Sequence, residues 1–446
     1  MLRPVIRPLL RRAAQPRADS PAVATLSSTS NDRDGDKLSP SVTDSDCHLT
    51  FFGTGGGGPT RSRNSSSMLV HWDGKSLLFD CAEGTLRQFL YSRQSPLAIS
   101  AIFITHLHGD HIFGLPSFLL HKSVAHMNFR KNVARVPDAH TDAIHVYGPE
   151  GLYNYLAMSL KVSRSHLMVP VVVHELAFSS INPSSSNRFD ALKDPIAEID
   201  SLQLGSPLTR KVLNSTDGTW TLPKIPKSQV GSIRIKAVGI QHTVPTVGYV
   251  LEEEAVQGSI DVAKATALGL KPGPLYKELK AGRDVTLEDG RVVKSADVVA
   301  EPEKCRKLVL LGDTCNASRI ASHAKGADLL VHEATVEEGQ DMKAVKIGHS
   351  TPRMAGAFAK LIGASRLVLT HFSARMDRGM FRPHEVHLTD WGPGPAQLQS
   401  PQGQRVPGDP GTGQLVLVAA KAFGSKAVAA AQDFLTVHIP RGGFKK

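Results

Sequence analysis

Between Thr105 and Ile112 the chain reads His106-Leu107-His108-Gly109-Asp110-His111, four metal-ligand side chains within six positions. In an extended segment alternate side chains share a face, so His106 and His108 point the same way and one ion can take both. The turn that Gly109 permits lets Asp110 and His111 face a second ion nearby. Imidazole and carboxylate donors without thiolate suit zinc, with manganese possible. The chemistry such a cluster supports is hydrolysis by an activated water. On these six residues alone, lactams, thioesters and phosphodiesters all stay open as substrates.

One cluster cannot complete two ions, so other ligands must come from elsewhere. Three candidates end strand-like runs: His242 in Gly239-Ile240-Gln241-His242, Asp313 in Leu311-Gly312-Asp313-Thr314, and His371 in Leu369-Thr370-His371. A lone histidine closing a strand is more often structural, and an acid in a Gly-Asp-Thr turn is often only a turn former. Their order and setting after the first cluster raise them above that background. The four cysteines, Cys47, Cys81, Cys305 and Cys315, form no CxxC pair. They read as reduced thiols of an intracellular protein, not as a disulfide framework or a thiolate zinc site.

The elements that must position these residues are strands and helices in alternation. Folded sequence begins at about His48. His48 to Phe52, Met68 to Trp72 and Ser76 to Asp80 have the composition of short strands, the last two around the turn Asp73-Gly74. Ala98 to Thr105 is an apolar run ending at the first histidine, as expected of a buried strand feeding a loop. Helices are predicted over Ala82 to Ser92 and Gly114 to Lys122. The second half repeats the style, with strands Lys307 to Leu311, Asp328 to His332 and Arg366 to Thr370, and a helix over Thr351 to Leu361. Strand, polar metal-type residue, helix, strand: this alternation predicts an α/β fold of two sheets covered by helices. Residues 179–230, rich in Ser, Pro and Asn, are expected to be a disordered surface insertion, and the Gly- and Pro-rich residues 376–413 a loop insertion.

The net charge of +11 and pI near 9.5 suggest a polyanionic partner such as RNA. Part of that charge has another origin. Residues 1–30 hold five arginines and a single acid, Asp19, which is the composition of an organelle transit peptide. Residues 1–47 are therefore expected to be a transit peptide and disordered linker. A mitochondrial location is the first expectation, a plastid the second, with nucleus or cytoplasm the remaining choice. No run of 18 or more apolar residues occurs, so no membrane insertion is expected.

Several blocks now carry a family resemblance. Phe52-Gly53-Thr54-Gly55 with Pro59-Thr60 and Arg63-Asn64, then Phe79-Asp80-Cys81-Ala82-Glu83-Gly84-Thr85, precede the metal cluster. Gly114-Leu115-Pro116, Val146-Tyr147-Gly148-Pro149, His332-Glu333-Ala334-Thr335, His349-Ser350-Thr351 and Leu369-Thr370-His371-Phe372-Ser373-Ala374-Arg375 follow it, and Asp433-Phe434-Leu435 and Pro440-Arg441-Gly442 close the chain. In this order they resemble ribonuclease Z, the short-form tRNA 3′-processing endonuclease of the metallo-β-lactamase superfamily. The likeness spans residues 48–442 apart from the two insertions. It implies a four-layer αβ/βα metallo-β-lactamase sandwich with a protruding arm. It also implies an endoribonuclease that removes 3′ trailers from precursor tRNA by two-metal phosphodiester hydrolysis. Two zinc ions per chain, or manganese, and a homodimer come with it.

Residue by residue, the resemblance implies His106, His108 and His242 on one ion, Asp110, His111 and His371 on the other, and Asp313 bridging. Asp110 would also orient or deprotonate the water, and His349 with Glu333 would give the leaving oxygen its proton. A carboxylate keeps an imidazole protonated and oriented, which suits that task. The segment at about 254–297 resembles the family's tRNA-binding arm, with Lys271, Gly273, Pro274, Lys277 and Lys280 as expected contacts; seven basic and four acidic residues lie between Lys264 and Lys294. Basic side chains on an arm neutralise phosphates without reading sequence. The likeness departs at Glu301-Pro302-Glu303-Lys304-Cys305-Arg306-Lys307, more acidic than the family's basic loop for the acceptor end. It departs also at Ala82, where the family has Gly. The competing reading keeps the site and changes the substrate: a phosphodiesterase or ester hydrolase of the same fold acting on a small molecule.

Overall fold

The computed structural model describes residues 47–132, 143–178, 208–226, 231–255, 258–300, 304–376, 386–388, 391, 398–399, 405–406 and 412–444. Among them an 11-stranded and an 8-stranded sheet pack face to face. Alternation along each strand sets which face a side chain serves. In Lys307–Leu311, Leu308 and Leu310 enter the cluster between the sheets, while Val309 and Leu311 enter the one beneath the outer helices. In Lys75–Phe79, Leu77 and Phe79 face the other sheet and Leu78 faces outward. Helices Leu115–Asn132 and Leu152–Val162 cover the first sheet, and Pro352–Ile362 and Gly413–Phe423 the second. The layers are helix, sheet, sheet, helix, the fold expected from the sequence.

The strands that carry the site are parallel where they matter. Lys75–Phe79, Ile99–Phe103 and Ile144–Pro149 pair in parallel in the first sheet. Lys307–Leu311, Leu329–Glu333 and Arg366–Thr370 do so in the second. Parallel neighbours bring their carboxyl ends to one edge, so residues following separate strands meet there. Thr351 starts helix Pro352–Ile362 with its side chain accepting from Met354 N, and Gly363 in a left-handed conformation ends it.

Three expectations are corrected. Residues 179–230 are not uniformly disordered. Within them Leu208–Asn214 runs parallel to Val171–Ala177 at the edge of the first sheet, and Thr219–Thr221 and Ile225–Pro226 pair with Ser232–Ile240. The edge strand buries only Leu208 and is held by its backbone ladder and the Arg210–Glu175 pair at 2.6 Å, so it carries no hydrophobic alternation to read. Residues 376–413 are likewise not loop throughout: Val386–Leu388, Leu398–Gln399 and Arg405–Val406 extend the opposite edge of that sheet. Helix Leu115–Asn132 runs ten residues past its expected end, because from Val124 to Phe129 no side chain is buried and the apolar period is lost. The expected transit peptide and linker lie outside the described residues up to residue 46, as do 179–207.

The arm has a core of its own. It leaves strand Thr246–Glu253 and returns into Lys307–Leu311, which pair with each other. Between them, helices Val262–Ala267, Leu275–Lys280 and Ser295–Val298 and the hairpin Val285–Thr286/Val292–Val293 enclose a core of Ala265, Leu270, Leu279, Val285, Val293 and Val298. Lys271, Gly273, Pro274, Lys277 and Lys280 are all exposed on it. Both ends are fastened at one point. Arg306, 1% exposed, donates to Glu253 Oε1 at 3.0 Å and to Asp73 Oδ2 at 3.3 Å in the first sheet's turn, with its guanidinium over Trp72. Arg306→Met would remove the buried cation that Glu253 and Asp73 share. We expect a loss of about 3–5 kcal/mol, seen as a lower midpoint in urea unfolding; an unchanged midpoint would show that the cluster does not hold the arm's base.

Candidate metal centre

Strand Ile99–Phe103 delivers Ile104, Thr105 and the buried His106; His108 then starts the short helix Gly109–Ile112, which carries Asp110 and His111. His242 follows strand Ser232–Ile240, Asp313 follows Lys307–Leu311, and His371 follows Arg366–Thr370. The fold thus brings all seven expected ligands to one edge. His106, His108 and His242 offer one group of ligand atoms, Asp110, His111 and His371 another, and Asp313 joins His106 and His111 in a third.

The spacing identifies what the groups fit. His108 Nδ1 lies 3.1 Å from His106 Nε2 and 3.3 Å from His242 Nε2. His371 Nε2 lies 3.2 Å from His111 Nε2 and 3.3 Å from Asp110 Oδ2. A tetrahedral zinc with bonds of about 2.0–2.1 Å sets its ligand atoms about 3.3 Å apart. Asp313 reaches both groups, with Oδ1 3.5 Å from His111 Nε2 and Oδ2 3.3 Å from His371 Nε2 and 3.8 Å from His106 Nε2. That is the placement a bridging carboxylate needs.

The remote ring nitrogens settle which way the lone pairs point. His111 Nδ1 donates to Asp80 Oδ2 at 2.7 Å, and His242 Nδ1 donates to the Gly348 carbonyl at 2.6 Å. His371 Nδ1 donates to Thr335 Oγ1 at 2.8 Å, which in turn donates to Glu333 Oε2. His106 Nδ1 donates to Thr105 Oγ1 at 3.1 Å, which donates to Asp80 Oδ2 at 2.9 Å. With Nδ1 donating outward in all four rings, Nε2 is the nitrogen each ring presents to the site. Gly348 has φ of 80°, and a Cβ there would sit 2.8 Å from His242 Nδ1, so only glycine brings that carbonyl so close.

Electrostatics agree with a cation-binding role. Burial, together with neighbouring histidines, drives His106 well below its usual pKa, and burial lowers His108 and His242 also. Asp110 and Asp313 stay ionised: burial alone would raise them, but facing histidines outweigh it. For His111 burial would lower the pKa, yet Asp313 and Asp80 raise it well above the usual value, so metal binding must displace a proton there. His349 Nδ1 donates to Glu333 Oε1 at 3.0 Å; burial opposes its charge, but this carboxylate pushes it up to about 9. Glu333 is itself buried and also accepts from Thr314 N at 2.8 Å.

Reading residues in order does not single out Asp80, Thr335 or the Gly348 carbonyl, although each orients a ligand. Asp80 leaves one signal, a carboxylate closing strand Lys75–Phe79 just before a Cys-Ala-Glu-Gly turn, and it takes a left-handed φ of 55°. Its consequence is measurable. Asp80→Ala frees the rings of His111 and His106, and zinc affinity in competition with a chromophoric chelator is expected to fall about 10–100-fold. An affinity equal to wild type would remove Asp80 from the centre.

Comparison with known proteins places the chain. Residues 47–168 match the family model described as anti-Pycsar protein Apyc1, and residues 253–372 the beta-lactamase superfamily domain. The chain is 39% identical over 331 residues to zinc phosphodiesterase ELAC protein 1 of Mus musculus, covering 73% of this chain and 86% of that one. It is 36% identical to ribonuclease Z of Streptococcus sanguinis, covering 73% and 89%. The crystal structure of the human short-form tRNase Z (ELAC1) superposes with a TM-score of 0.50 and 26% identity over 88% of this chain and 99% of that one. Ligands at strand ends, the sandwich that carries them and these identities have one reading: the chain belongs to the ribonuclease Z family of the metallo-β-lactamase fold.

Proposed function

We propose that the protein is a metal-dependent endoribonuclease that removes 3′ trailers from precursor tRNA. The observation that carries this is the His349–Glu333 pair beside the seven-ligand centre, in a chain of this family. His106, His108 and His242 would hold one zinc or manganese ion, and Asp110, His111 and His371 a second, with Asp313 between them. Bound there, the ions supply activation of water and neutralise charge developing on the phosphate. Asp110 orients the attacking water. His349, kept protonated by Glu333, delivers a proton to the leaving oxygen. Exposed lysines of the arm engage phosphates of the folded tRNA at a distance from the cut.

Purified protein with zinc or manganese should cut a trailer-bearing precursor tRNA after the discriminator base, read by end mapping; no cleavage with either metal would sink the proposal. The composition of residues 1–30 supports import into mitochondria, and the family resemblance supports a homodimer.

Two variants separate the parts. Deleting residues 258–300 with a short Gly-Ser bridge should abolish tRNA cleavage yet spare bis(p-nitrophenyl) phosphate. Surviving tRNA cleavage would dismiss the arm and favour a small substrate. His349→Ala should lower kcat on tRNA by about 10²–10⁴-fold. It should cost much less on the nitrophenyl ester, whose leaving group needs no proton; equal losses on both would argue against proton delivery.

A further inference from the structure

The glycine loop after strand Cys47–Gly53 is closed at its neck and touches the metal centre at its tip. Thr54 N and Gly55 N both donate to Asn64 O, at 3.0 and 2.9 Å, and Phe372 N donates to Thr54 O at 2.9 Å. At the tip, Gly57 N–H donates to Asp110 Oδ2 at 2.6 Å, with φ of 77° at Gly57. That oxygen is the one facing His371 Nε2. The loop therefore decides how the Asp110 carboxylate turns.

What holds the neck is Asp433, 1% exposed and part of the Asp433-Phe434-Leu435 block. Its Oδ1 accepts from Thr54 Oγ1 at 2.8 Å, and its Oδ2 from Asn64 N at 2.6 Å and Gln88 Nε2 at 2.9 Å. Arg63 completes the clamp, donating to Thr54 Oγ1 at 2.6 Å and to Ala431 O at 2.8 Å with its guanidinium over Phe372. A buried carboxylate with three donors, from both sides of the neck and from helix Thr85–Tyr91, fixes the loop far more firmly than its glycines could.

We propose that Asp433 is a positioning residue for Asp110. It acts through the loop: it fixes the Gly57 N–H that aims Asp110 into the group formed with His111 and His371. This rests on the two-ion reading above. Asp433→Asn replaces one acceptor with an NH₂ that faces a donor, so the neck opens without changing side-chain size.

The test is zinc titration of the full-length metal-free protein against a chromophoric chelator, with folding followed by circular dichroism. In Asp433→Asn the ion of the His106–His108–His242 group should bind as in wild type, while the other weakens about 10-fold. In an Asp110→Ala background the substitution should have no further effect on affinity. Equal weakening of both ions, no weakening, or the same loss without Asp110 would each overturn the proposal. A wild-type protein that takes a single ion would instead overturn the two-ion reading. Should Asp433→Asn not fold, Gln88→Met, which removes one of the three donors, should give a smaller loss confined to the same ion; no loss there would overturn the proposal.

Discussion

Lone pairs aimed at one another across little more than 3 Å repel, and this chain holds several of them in that state. Burial lowers the pKa of His106, His108 and His242, whose nitrogens converge in one group, while those of His111 and His371 meet the carboxylates of Asp110 and Asp313 in the next. Only a cation relieves such an arrangement, so the free energy of metal binding and that of folding are linked here. The rest of the structure follows from keeping these donors in place before an ion arrives. Outward N–H groups tied to Asp80, Thr105, Thr335 and the Gly348 carbonyl do the local part.

The sandwich does the global part. His106, Asp313 and His371 follow strands whose two faces are both buried, so a shift of one residue in register would move side chains fitted to one core into the other. That rigidity reaches the ligands directly, because His371, Asp313 and His106 lie only one, two and three positions past their strand ends. The acid pair is set the same way: Glu333 ends its strand, and His349 precedes helix Pro352–Ile362. The arm is the opposite kind of element, a small body with its own core, fastened at its base and presenting lysines to solvent.

How much of this was legible depends on where each residue's meaning resides. His106, His108, Asp110 and His111 declare themselves because four ligands fall within six positions. His242, Asp313 and His371 are single residues whose partners lie far away in sequence; their strand-end setting raises them, the family resemblance assigns them to ions, and only the fold shows them meeting. Glu333 and His349, sixteen positions apart, are ordinary polar residues until packing sets them 3.0 Å apart. The strand Leu208–Asn214 was missed because exposed edge strands are held by backbone bonds, which leave no trace in side-chain pattern. Asp80 was missed as an orienting group because it acts on another side chain, and its own sequence context is that of a turn.

The most direct measurement is metal content. Full-length protein purified without chelator and analysed by inductively coupled plasma spectrometry should carry about two zinc or manganese ions per chain, as expected of closely spaced catalytic pairs. His242→Ala and His371→Ala should each retain about one, on opposite sides of Asp313. A wild-type content of one ion or none after saturation would contradict the account of the centre.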